Sequence, residues 1–154
     1  MNKKKILTRV GIVYIAFVFV QSLFFKFTGS PETDHIFGTL DQWAEDTFGF
    51  EGLFLPPGLF NAYVIGSAEL VASILLLVGL FTNKTALIPF GALMSFGIIT
   101  GAIGFHLFTP LGIDVMDDSG TLFYMACGVW VFSLALIVTH YKQLQALVCK
   151  GVSK

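Results

Sequence analysis

Three ionisable side chains stand inside otherwise apolar runs: Lys26, Glu69 and His106. Brought together, an ammonium, a carboxylate and an imidazole can hold a polar head group and pass protons, because each changes charge or hydrogen-bonding role when a proton moves. Glu69 is the most expensive of the three. An acid deep in hydrocarbon costs about 2.5–3.5 kcal/mol on insertion scales, so it needs a partner, a water pocket or a function. We read Glu69 as the candidate catalytic residue, a proton donor or acceptor, and Lys26, Glu69 and His106 as candidate ligand-binding residues. The structural alternative is an ion pair, or hydrogen-bonded glue, that sets helix register. For His106 the alternative is an interfacial histidine facing water.

Other chemistry is thin. His106 and His140 fall at opposite membrane faces and cannot clamp one haem, which leaves His35 with His106 as the pairing that depth allows. Cys127 and Cys149 are about 33 Å apart if the helix between them continues, too far for a disulfide. No metal-ligand set, phosphate-binding glycine loop or nucleophile with an adjacent base is present. A formal net charge of −1 with only nine Lys and Arg argues against nucleic acid as a partner.

The elements that must position these groups follow from composition. Of 154 residues, 55% are hydrophobic and 12% charged, against roughly 25% charged in a soluble domain. The apolar residues lie in four runs, about 10–27, 59–81, 87–108 and 122–138, each near the ~20 residues that cross a bilayer. The expectation is one all-α domain over residues 1–154, a four-helix transmembrane bundle whose first partner is the lipid bilayer. The short turn Thr82, Asn83, Lys84 makes spans two and three an antiparallel hairpin.

Charge sorting sets the orientation. Every Lys and Arg except Lys26 falls at the N-terminus, in the turn between spans two and three, or in the C-terminal tail. Every Asp and Glu except Glu69 falls in the other two loops. Basic segments stay cytoplasmic, so both termini are expected inside and the acidic loops outside, suggesting a bacterial cytoplasmic membrane. In the first acidic loop, Ser30-Pro31-Glu32 offers an N-cap, a proline at the first helical position and an early acid. Ile36, Phe37, Leu40, Trp43, Ala44 and Phe48 then recur on one helical face, with Asp34, Asp41, Glu45 and Asp46 largely opposite. This predicts an amphipathic helix over about 31–48, lying along the outer membrane surface.

Helical rise places Glu69 about 15 Å below the outer start of span two, and the Lys26 backbone about 8 Å higher, a gap that the ~6 Å lysine stem nearly closes. Ala62, Gly66 and Ser73 share the Glu69 stripe and would let a neighbouring helix approach, turning the carboxyl into the bundle. Gly97, Gly101 and Gly104 are expected to serve tight helix packing. Gln21 and Tyr14, seven apart on span one, read as interhelical contacts.

Span one ending in Phe25-Lys26-Phe27, and the stretch from Glu69 through a leucine-rich run to Gly79-Leu80-Phe81-Thr82, resemble the DoxX-like family of small four-helix membrane proteins. The segment Phe105 to Ile113 leading into Asp117-Asp118-Ser119-Gly120 is similar to that family's third loop. Phe24 and Phe25 depart from its small-residue step before the lysine, and Asn83-Lys84 from its basic residue after the Gly-Leu-x-Thr turn. The resemblance implies a four-helix fold and a link to quinone-coupled membrane oxidoreductases. It carries over Lys26, Glu69 and, less directly, His106. On that basis the expectation is an accessory subunit of a larger membrane complex. It would hold no intrinsic cofactor and bind a quinone-type head group, with electrons supplied by a partner protein. A non-enzymatic scaffold or assembly factor is the alternative, and a homo-oligomer is compatible with either.

Overall fold

The computed structural model describes residues 3–82 and 84–152, with side chains described as far as residue 146. Asn83 and Lys154 therefore lie outside the described residues, and Cys149 and Lys150 outside the described side chains. Six helices run in order: α1 Lys3–Thr28, α2 Pro31–Phe48, α3 Ala62–Phe81, α4 Leu87–Phe108, α5 Thr121–Thr139 and α6 Tyr141–Val152. Four of them, α1, α3, α4 and α5, are long and apolar enough to cross a membrane. They close a ring in the order α1, α3, α4, α5, with α5 returning to α1. Phe17, Phe24, Val131 and Val138 are each more than half exposed on the outside of this ring, a surface that water cannot cover without penalty. The protein is a multi-pass membrane protein.

Helix ends follow local chemistry. The Ser30 Oγ accepts from Thr33 N at 3.2 Å and Pro31 opens α2, so the expected cap is present. Gly49, at φ 73°, closes α2 in the left-handed conformation, with its N–H on Glu45 O and the Phe50 N–H on Ala44 O. Span two starts three residues later than its apolar run, because Asn61 caps α3: its Oδ1 accepts from Tyr63 N and Val64 N. The α1 helix begins seven residues earlier than the run, since lysines continue a helix into the interface at no cost. A separate α6 was not expected. His140 ends α5 and its carbonyl accepts from Gln143 N and Leu144 N, which starts the new helix. Burial pushes the His140 ring below its usual range; the hydrogen bond to the Leu136 carbonyl works the other way, and nearby Lys4 adds to the depression.

The main core joins the four spans through Ile12, Ile15, Phe19, Leu76, Ala92, Val129 and Leu136, all nearly inaccessible. A second cluster lies at the acidic end, where Phe37, Leu40 and Ala44 of α2 meet Phe54, Ala62, Leu111 and Val115. The apolar face of α2 thus rests on protein at the mouth of the ring. Asp41 departs from its expected place on the polar face. It is buried, with its carboxylate accepting from Gly52 N at 3.2 Å and Phe54 N at 2.8 Å. Two backbone donors compensate the buried charge, so the acid ties α2 to the segment leading into α3.

The α4–α5 loop is built around Asp118. Its carboxylate accepts from Val115 N, Gly120 N and Leu122 N. Partial burial alone would raise this carboxyl, but those three donors and a hydrogen bond with Asp114 outweigh it and hold it below its usual range. The loop also holds Met116, Asp117 and Ser119 at positive φ, an arrangement unfavourable for non-glycine residues that the Asp118 bonds help maintain.

The glycine expectation fails in part. A Cβ at Gly97, Gly101 or Gly104 would meet nothing within 4 Å, so these three do not mediate helix packing within the chain. Close approach occurs elsewhere. A Cβ on Gly91 would lie 3.1 Å from Ala72 O and 2.8 Å from the Leu76 side chain, and one on Gly128 would overlap the Tyr14 hydroxyl.

Candidate functional site

The one basic and the one acidic residue that escape the charge sorting meet each other. Lys26 Nζ donates to Glu69 Oε1 at 2.8 Å and to Oε2 at 2.9 Å. Local sequence explains the meeting. Gly66, one turn before Glu69, has no side chain, and a Cβ there would sit 3.4 Å from Leu23 and Phe27 of α1. That bare position lets α1 lie close enough for Lys26 to reach across. Ala62, Gly66, Glu69 and Ser73 are all buried, so the predicted stripe does face the bundle. The side chains of Lys26 and Glu69 are 13% and 6% exposed, so water screens the pair weakly and each charge depends on the other.

Sequence reasoning missed Ser22, which accepts the third Lys26 proton. The signal was available, since Ser22 precedes Lys26 by four residues and therefore faces the same way on α1. With two protons on Glu69 and one on Ser22, the ammonium has no donor left. Only one of those three bonds is readily exchanged: the Ser22 bond is to a neutral hydroxyl, while the two to Glu69 join opposite charges. An incoming acceptor atom would therefore displace Ser22 rather than Glu69.

Lys26 also lines a recess of about 100 Å³ at the acidic end, beside Thr33, Asp34, Phe54, Ala62 and Tyr63. A water takes roughly 30 Å³ in the liquid, so this space admits about three waters, or one polar edge of a ring. Thr33 is buried and its oxygen accepts from Ser30, which leaves its own proton to donate.

His106 is buried at the end of α4. Its Nδ1 lies 2.6 Å from the Gly112 carbonyl, and its ring meets Phe123 edge-on at 5.7 Å. A carbonyl can only accept, so Nδ1 is the donor in that bond, which leaves Nε2 as the open ring nitrogen. Among the described residues no hydrogen bond joins His106 to Lys26 or Glu69, so the structure brings together two of the three predicted residues and ties the third to the α4–α5 loop. His35 is exposed on α2, while His106 is buried at the end of α4 with its Nδ1 on Gly112. Among the described residues no group of three or more His, Cys, Asp or Glu is placed to hold a metal.

No curated protein and no solved structure matches the chain. The family model for DoxX matches residues 9–109, a stretch that contains Lys26, Glu69 and His106. With more than half of the chain matched and four apolar helices able to span a membrane, this protein belongs to the DoxX family.

Proposed function

We propose that the protein is an accessory subunit of a quinone-linked membrane oxidoreductase, with the acidic end of the bundle receiving the head group. The observation that carries this reading is the Lys26–Glu69 pair, buried against its own bundle, whose lysine lines a recess while Glu69 stands outside the lining. The donors fit one edge of a quinone head: carbonyl oxygens are acceptors, and the recess offers Lys26 once Ser22 turns away, and the Thr33 hydroxyl. A bound quinone would supply a carrier of electrons and protons soluble in lipid, which the chain's own residues do not provide. Lys26 orients the acceptor atom. Glu69 lies behind it as the group that takes or gives a proton, and its bond to Lys26 keeps the carboxylate in place between turnovers. His106 enters this reading as a third candidate contact, at the end of α4 and outside the recess lining, with Nε2 as its open ring nitrogen. Electrons come from a partner in a larger membrane complex. In this reading the acidic end faces outward from a bacterial cytoplasmic membrane, both termini are cytoplasmic, and α2 lies at the membrane surface.

A second reading, a scaffold or assembly factor, is favoured by one feature: the α4 face bearing Gly97, Gly101 and Gly104 has nothing near it, which leaves room for a helix of another protein. Purified protein titrated with a short-chain quinone separates the two. Glu69→Gln should keep the helical content and lose quinone binding. Unchanged binding, or no binding by the unsubstituted protein, removes the first reading.

A further inference from the structure

The lipid-facing surface of α1 carries a group that lipid cannot satisfy. Gln21 is exposed, and among the described residues its amide has no hydrogen-bond partner. It is also the single Asn or Gln within the four spanning helices. By helical rise it lies about 8 Å from the midpoint of α1, inside the ~15 Å half-thickness of the hydrocarbon layer. Threonines in and at the ends of the spanning helices settle on their own helix: Thr28, Thr82, Thr100 and Thr139 each donate to the carbonyl four residues back. The hydroxyl of exposed Ser67 can do the same. An amide with two N–H donors and a carbonyl acceptor cannot satisfy both halves that way.

Gln21 borders a groove of about 420 Å³ between α1 and α3, lined by Val13, Ala16, Phe17, Val20 and Leu77 besides the amide itself. The groove is apolar except at that one place. An acyl chain would fill it and leave the amide unpaired.

We infer that this face is a seam between two copies of the chain, paired through Gln21. Copies inserted in one membrane share one orientation, so a two-fold axis along the membrane normal brings residues of equal depth together. Gln21 then meets Gln21 of the second copy. An amide is complementary to itself: each donates one N–H and accepts at its oxygen, closing two hydrogen bonds where no water competes. Val13, Phe17 and Val20, each more than half exposed, line the groove beside the amide and supply the apolar contact. Ala16 lines the same groove but is buried within its own chain. The like charges of Lys3 to Lys5 and Arg9 lie at the basic end of α1, where salt in the aqueous phase screens them.

The test is energy transfer between donor- and acceptor-labelled full-length chains in phosphatidylethanolamine–phosphatidylglycerol vesicles, as the lipid-to-protein ratio is raised. The unsubstituted chain should associate, Gln21→Leu should weaken association about tenfold, and Gln21→Asn should retain most of it. Leucine at a lipid-facing position leaves the bundle intact, which circular dichroism checks. Energy transfer no higher than chance encounter for the unsubstituted chain overturns the inference. So does association that survives Gln21→Leu but is lost with Gly101→Leu, which would place the seam on α4.

Discussion

Removing one charge of the Lys26–Glu69 pair should not be equivalent to removing the other. In Lys26→Met the Glu69 carboxylate keeps its place near the middle of α3, 6% exposed, and loses both of its hydrogen bonds to the lysine. Leaving one member of such a pair uncompensated costs about 3–5 kcal/mol. In Glu69→Met the ammonium has an escape. Lys26 lies two residues from the end of α1, and its ~6 Å stem can carry the charge to the aqueous interface. It then loses the pair without being trapped, at about 1–2 kcal/mol. The double replacement, Lys26→Met with Glu69→Met, fills the space with apolar atoms and should fall within about 1 kcal/mol of the original stability or above it. The two single costs therefore fail to add by about 3 kcal/mol or more. Reversible unfolding in mixed micelles with rising dodecyl sulfate, followed by circular dichroism, measures all four forms. Additive costs would show that the two groups do not depend on one another. A larger loss for Glu69→Met would show that the lysine is the trapped group. A double variant that folds normally but no longer binds a quinone head group would separate recognition from helix register.

Two further outcomes rest on the packing and the loop. Gly128→Ala drives a methyl group into the Tyr14 hydroxyl and should lower stability by about 1–3 kcal/mol. Gly97→Ala, with open space around it, should be neutral or gain about 0.5 kcal/mol; thermal denaturation in detergent ranks the pair, and the reverse order would show that the α1–α5 approach is looser than described. Asp118→Ala removes the acceptor of three backbone N–H groups and should cost about 1–2 kcal/mol at neutral pH. Because the folded-state carboxyl is held below its usual range, its stabilisation is complete above about pH 4 and is lost as pH falls through the depressed value. The variant should therefore show a flatter acid limb in a melting-temperature profile from pH 2 to 6, and an unchanged limb would exclude that role.

Composition and charge order alone determined the topology. Runs of about twenty apolar residues have one stable form in hydrocarbon, the helix, and the sorting of acids from bases assigned each loop to one end of the bundle. The Ser30 and Pro31 start of α2 was legible because capping acts over four residues of chain. The same local reasoning singled out Lys26 and Glu69, since a charge in an apolar run is visible without coordinates. What separation in sequence concealed was partnership. That Lys26 binds both Glu69 oxygens and Ser22, that His106 spends its Nδ1 on Gly112, and that Asp41 is buried on two backbone amides depend on which helices are neighbours in the ring. So does the contrast between Gly128, pressed against Tyr14, and Gly97, facing nothing. A side chain's address along its own helix follows from periodicity, whereas its neighbours follow from the packing of four rods at once, and short-range pattern holds no record of that arrangement.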